Sequence, residues 1–169
     1  MITKKMQDAF NAQVGAEFYS AFLYLSMAAY LEDIDLPGAA NWMRIQYQEE
    51  KSHAEKIFEY VIERDGRAEI PAWEAPKKAW KDAMDVFESA YAHEQKVTAL
   101  IGGLVKTARA EDDHASEIFL QWFVNEQVEE EASVKAIIQQ LKMVDTSRGG
   151  LYMIDRELAS RTFTPPATA

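Results

Sequence analysis

Met43-Arg44-Ile45-Gln46-Tyr47-Gln48-Glu49-Glu50-Lys51-Ser52-His53-Ala54-Glu55-Lys56-Ile57-Phe58-Glu59-Tyr60-Val61 contains no glycine and no proline, and its apolar residues do not alternate. Met43, Tyr47, Glu50, Ala54, Ile57 and Val61 follow one another in steps of four and three. Those steps trace the stripe that a helix buries in a bundle. Three other windows repeat the pattern. Phe10, Val14, Glu17, Ala21, Tyr24, Ala28 and Leu31 form the first, and Phe87, Tyr91, Glu94, Thr98, Ile101, Val105 and Ala108 the second. Leu120, Phe123, Gln127, Glu130, Val134, Ile137, Leu141 and Val144 form the third. Punctuation falls outside these windows, at Leu36-Pro37-Gly38, Asp65-Gly66, Pro71, Pro76, Arg148-Gly149-Gly150 and Thr164-Pro165-Pro166. The pattern predicts α1 over residues 4–32, α2 over 38–65, α3 over 79–110, α4 over 113–144 and a short α5 over 150–159. Residues 66–79 are the one longish connection. Gly102-Gly103 inside α3 is the local objection, costing about 1 kcal/mol per glycine against alanine, and marks a bend or a close helix contact. No stretch alternates β-branched residues between turn signals, so strands are not expected. Four long amphipathic helices make an all-α four-helix bundle.

The chain has 169 residues, 48% of them hydrophobic, which suits one domain with a sizeable core. Its 28 acidic and 18 basic residues give a net charge of −10. That balance excludes nucleic acid and an anionic membrane surface as partners, and it favours cations. With zero cysteines, disulfides, iron–sulfur clusters, thiolate zinc sites and cysteine nucleophiles are excluded together. Any metal must be held by carboxylate and imidazole. The first residues, Met1-Ile2-Thr3-Lys4-Lys5-Met6-Gln7-Asp8, lack a signal peptide's apolar stretch, and no uncharged run is long enough to cross a membrane. A cytoplasmic location is the expectation.

Each stripe is interrupted near its middle by a carboxylate: Glu17, Glu50, Glu94 and Glu130. Any one of them alone also fits a side chain at the stripe's edge that reaches water. Four at matching heights would repel one another and stay largely protonated unless cations sat among them. The spacing therefore predicts a multivalent cation at the bundle's centre. Glu50-Lys51-Ser52-His53 puts a carboxylate and an imidazole on one helix face. Oxygen ligands with one imidazole suit iron or manganese better than copper, and zinc also binds such sets. Di-iron carboxylate bundles use one Glu from each of two helices and Glu-x-x-His from each of the other two. Glu17 and Glu94 fill the single positions and Glu50 with His53 one pair, whereas α4 offers Gln127-x-x-Glu130.

With these residues in hand, the chain resembles the ferritins over nearly its whole length. The stretches that carry the likeness are Gln13-x3-Glu17 with Tyr19 and Tyr24, Glu49 to Lys56, Glu94, and Asn125-Glu126-Gln127-Val128-Glu129-Glu130. The bacterial non-haem type is the most similar. Bacterioferritins carry a second Glu-x-x-His and a haem-ligating methionine where Lys51 stands here, so no haem is expected. Rubrerythrins add a four-cysteine site that this chain lacks. The resemblance implies a ferritin-like up-down four-helix bundle with one long crossover and a short fifth C-terminal helix. It would be a single domain over residues 1–161, followed by a disordered tail at 162–169.

The resemblance further implies a ferroxidase centre. Glu17, Glu50 and His53 would hold a first iron, and Glu50 would bridge to a second that Glu94 and Glu130 complete. Gln127 would sit beside it as a hydrogen-bonding neighbour. For Tyr24 two roles stand open, plain core packing or a hydrogen bonder and electron donor to the site. A third iron position would map to Glu49, Glu126, Glu129 and Glu130, although the run Glu129-Glu130-Glu131 also fits a solvated face. Two Fe(II) ions held this way can jointly give electrons to dioxygen or peroxide. Storage of the ferric product needs a container, and the resemblance implies a shell of twenty-four subunits. Glu111, Asp112, Asp113 and Glu117 fit either an acidic iron channel or ordinary charge at a helix start. Glu117 matches a channel position, and Leu120 stands where many animal ferritins have a second acid. His93 and His114 have no evident partner, and Trp42, Trp73, Trp80 and Trp122 read as core or interface anchors. The alternatives are a discrete di-iron peroxidase or oxygenase without mineral, and a helical scaffold that binds nothing.

Overall fold

Side-chain caps set where most helices begin. Thr3 accepts a hydrogen bond from the Met6 amide at 3.3 Å, Asp82 from Asp85 at 2.9 Å, Asp113 from Ser116 at 3.1 Å and Ser147 from Gly150 at 3.1 Å. In the computed structural model, which describes residues 1–165, these starts give α1 Lys4–Asp33, α2 Pro37–Glu63, α3 Ala83–Ala110, α4 His114–Val144 and α5 Arg148–Leu158. Among the described residues there is no strand, and no helix is long and apolar enough to cross a membrane. The expected disordered tail falls partly, at residues 166–169, outside the described residues. Residues 161–165 carry no regular structure.

α3 starts four residues later than its composition suggests. The run 77–81 is made of helix formers, but Trp80 turns into the core and the Asp82 carboxylate caps the first turn at Asp85. α2 has no cap of its own. Pro37 takes its first position, and Asp155 on α5 accepts the Ala39 amide at 2.8 Å. That contact requires Gly38, because a Cβ there would lie 1.7 Å from the Asp155 carbonyl oxygen.

α1 and α2 are joined by residues 34–36 and α3 and α4 by 111–113, so each pair is antiparallel. Three helix ends close through the amides of residues 36, 66 and 113 onto the carbonyls of Leu31, Val61 and Ala108. The hinge residue in each is an aspartate with positive φ, Asp35 at 59°, Asp65 at 56° and Asp112 at 51°. The crossover, residues 64–82, runs along α1 in order. Asn11 bonds the Arg67 carbonyl and the Glu69 amide at 3.0 Å each, and Gly15 leaves room for Pro71. Trp73 stacks on Phe18 and Phe22, Ser26 bonds the Lys77 carbonyl at 2.6 Å, and Tyr30 meets Trp80. α3 therefore begins at the α1–α2 turn and runs parallel to α2. This is the four-helix bundle with one long crossover and a fifth C-terminal helix.

The stripes lie inside as read, with a shift in α3. Thr98 is exposed and Val105 only partly buried, while Val97 and Leu104 take the inward row. Gly102 and Gly103 interrupt nothing: α3 is continuous, and a Cβ at either would meet no atom within 4 Å. No close contact explains them. The apolar core is split in two. One cluster holds Tyr24, Met27, Leu31, Met43, Phe87 and Val134, and the other Phe10, Val14, Ile57, Ile101, Leu120 and Phe123. Between them, at mid-bundle, lie the four glutamates.

Candidate metal centre

One carboxylate from each of α1 to α4 enters the layer between the two cores, because each interrupts a buried stripe at the same height. Glu17, Glu50 and Glu94 are no more than 1% exposed and Glu130 is 7% exposed, so all four are buried. Glu17, Glu50 and His53 each offer a ligand atom within 4.8 Å of the other two, and so do Glu50, Glu94 and Glu130. Glu50 belongs to both groups. His53 Nδ1 lies 3.8 Å from a Glu50 oxygen.

Neighbours orient this set without satisfying it. Gln13 donates to Glu17 at 2.8 Å, and the Tyr24 hydroxyl donates to Glu94. Gln127 Nε2 donates to the Glu94 carboxylate at 3.1 Å and to its carbonyl at 3.2 Å. Trp122 stands edge-on to the His53 ring at 5.3 Å. Yet Glu17 Oε2, both oxygens of Glu50 and Glu130 Oε2 are buried with no hydrogen-bond partner. Native structures rarely leave buried polar atoms unmet. Four orphan carboxylate oxygens converging on one layer fit hard cations, which bind oxygen.

The electrostatics agree. Burial pushes Glu17 up to about 7, partly offset by the hydrogen bond from Gln13. Burial first, and then the neighbouring carboxylates Glu130 and Glu94, holds Glu50 well above the usual range. Glu130 is raised likewise by burial and by Glu94 and Glu17. Burial raises Glu94 too, against hydrogen bonds from Tyr24 and Gln127. His53 is pushed down to about 4, by burial and then by Lys56, so it presents a neutral imidazole ready to ligate.

Glu49, Glu126, Glu129 and Glu130 do not form a comparably tight group among the described residues. They line a cavity of about 420 Å³ beside His53, and Glu49 is paired with Arg161 at 2.6 Å. Three of the four acids at the α3–α4 turn have partners inside the chain. Lys5 holds Glu111, Arg64 holds Asp113 and Arg109 holds Glu117. Leu120 is fully buried against the second core cluster. His93 is half-buried and bonded to Ser20 at 2.7 Å, between Tyr19 and Tyr24. Trp42 and Trp80 are core residues, and Trp73 covers α1 from the crossover.

Three neighbours of the site are not marked as such by the sequence. Trp122 and Arg161 have no local signal. Gln46, one turn before Glu50 and 1% exposed, could have been found from that spacing.

A family model described as the ferritin-like domain matches residues 7–144. The chain is 40% identical over 161 residues to a bacterial non-heme ferritin of Bacteroides fragilis, covering 95% of this chain and all of that one. It is 36% identical to the bacterial non-heme ferritin of Staphylococcus haemolyticus, covering 96% of this chain and 98% of the other. Among solved structures, an engineered closed form of the Archaeoglobus fulgidus ferritin superposes with a TM-score of 0.96 at 48% identity, covering 97% and 100% of the two chains. The open-pore ferritin of the same archaeon superposes with a TM-score of 0.95 at 47% identity, covering 96% and 100%. Bundle, carboxylate layer and relatives agree, and the chain belongs to the ferritin family.

Proposed function

We propose that the protein is an iron-storage ferritin that oxidises Fe(II) at a dinuclear centre inside each subunit and keeps the ferric product as mineral within a multi-subunit cage. Glu17, Glu50 and His53 would take one ion, and Glu50, Glu94 and Glu130 the other. The observation that carries this reading is the sharing of Glu50, whose two carboxylate oxygens are both buried and unpartnered, between two ligand groups. A shared carboxylate holds two cations close enough to give up electrons together. Negative oxygen ligands favour Fe(III) over Fe(II), which drives the oxidation forward. Tyr24 and Gln127 hydrogen-bond the Glu94 carboxylate, and in this reading Tyr24 would supply a further electron. The family relationship supports the cage, with twenty-four subunits as the expected count.

The test is an anaerobic Fe(II) titration followed by air, on wild type and Glu50→Ala. Two ions bound per chain, rapid oxidation and retained iron are expected for wild type, and loss of all three for the variant. Equal oxidation rates would remove the catalytic role. A small oligomer in light scattering would remove the storage role and favour a discrete di-iron enzyme.

A further inference from the structure

Beside the dinuclear centre, the seam between α3 and α4 opens into a second cavity, of about 340 Å³, whose walls are mainly apolar. Buried Ile101 and half-buried Gly102 on α3 face Val124 and Val128 on α4, which form an exposed rim. Thr98 and Gln127 form the end nearest Glu94. Gln127 Nε2 donates to the Glu94 carboxylate at 3.1 Å and to the Thr98 hydroxyl at 3.3 Å, and Thr98 donates to Glu131 at 2.6 Å. Both side-chain donors lining the cavity are therefore in use, and its walls suit an apolar guest better than a polar one. Gly102 keeps the space clear. A Cβ there would meet nothing within 4 Å, its φ is not positive, and α3 is continuous across it. Neither a turn nor a tight contact requires glycine, although it costs a helix interior about 1 kcal/mol against alanine. What the glycine provides is a missing side chain, and with it the open seam. The cavity beside His53, between α2 and α4, differs in kind, since Glu126 and Glu129 line it.

Resting on the dinuclear reading above, we propose that the α3–α4 cavity is a dioxygen site, which holds the oxidant and feeds it past Gln127 to the second metal position. Dioxygen is small, uncharged and apolar, so it partitions into apolar space. Cavities of about 150 Å³ lined by aliphatic and aromatic side chains already hold xenon, a gas of similar character. Gln127 lines the cavity and also bonds Glu94, so a guest lies one side chain away from the Glu50, Glu94 and Glu130 group. No bond forms or breaks in the cavity, and the guest stays dioxygen until it reaches the centre. Hydrogen peroxide, a polar oxidant, gains nothing from these walls.

Two measurements on the assembled protein test this. Crystals under xenon pressure are expected to show xenon beside Gly102 in wild type and none in Gly102→Leu, whose side chain fills the space. A wild-type cavity without xenon, or one plugged by a neighbouring subunit, would overturn the proposal. In stopped-flow oxidation of Fe(II) loaded anaerobically, Gly102→Leu is expected to lower kcat/KM for dioxygen on the order of tenfold. Its anaerobic Fe(II) binding and its oxidation by hydrogen peroxide are expected to match wild type. Gly102→Ala, too small to fill the cavity, is expected to stay within about twofold of wild type. An unchanged dioxygen dependence in Gly102→Leu would overturn the proposal, as would an equal loss with peroxide, the mark of general damage to the centre. Wild type that binds no pair of ions would overturn the dinuclear reading instead, a result that the xenon measurement keeps distinct.

Discussion

Glu50 is where local signal and tertiary consequence coincide, since its place in the α2 stripe already demanded burial and the fold then left both its oxygens unmet. The four glutamates were legible because helical periodicity is local: seven or eight residues show which face turns inward. Leu120 shows the same rule at work: its own stripe puts it with Phe123 in the core, where it lies. Arg161 was out of reach because no local rule links residues 49 and 161. The pH response belongs at this scale. Glu17 sits at about 7 in the folded chain against an ordinary 4.5, and Glu50 and Glu130 are also raised. A carboxyl raised on folding contributes stability that is present below pH 4.5 and lost as pH rises through its folded value, at about 1.4 kcal/mol per pH unit per group. His53 and His93, both lowered to about 4, act oppositely, losing stability as pH falls below 6.5, and they are silent above it. The metal-free protein should therefore lose melting temperature between pH 6.5 and 8, and Glu17→Gln should flatten that slope. A melting temperature that rises across this window would contradict the burial of these carboxyls. Site assignment is testable too: Glu94→Ala should weaken the second metal position more than the first in metal-soaked crystals, and equal loss at both would contradict it.

Among the elements, helix identity was readable and helix contacts were not. α1 to α4 came from periodicity to within a few residues, except that Asp82 rather than composition starts α3. What Gly38 and Gly103 do could not be told apart in the sequence, since both stand at or inside a helix. Gly38 admits the Asp155 carbonyl, whereas Gly103 faces open space. Substitution should separate them. Gly38→Ala forces α5 away from α2, costing the Asp155 cap on Ala39 and the burial of Ile154 and Leu158. A loss of about 2–3 kcal/mol is expected from the cap and one apolar side chain together. Gly103→Ala should instead stabilise by about 1 kcal/mol, because alanine is the better helix former and nothing stands in its way. Denaturant midpoints of the two variants should move in opposite directions. Midpoints that move together would mean that α5 is not held against Gly38 as described.

For the whole molecule, the division of one bundle core into two apolar clusters is the price of the site, because an unpaired carboxylate layer lies where apolar packing would otherwise run on. Buried charge without partners opposes folding, and replacing buried ionic groups with apolar ones of similar volume often stabilises by about 1–4 kcal/mol. Glu50→Leu and Glu130→Met should accordingly raise the melting temperature of the metal-free protein while removing metal binding. Fe(II) should reverse the ranking: wild type gains stability with ion concentration through linkage, and the variants gain none. The crossing of the two melting curves as metal is added is the expected signature. Variants that melt below wild type in the absence of metal would show that the glutamates contribute to the bundle's packing by themselves. That outcome would require partners for Glu50 and Glu130 that the geometry does not provide.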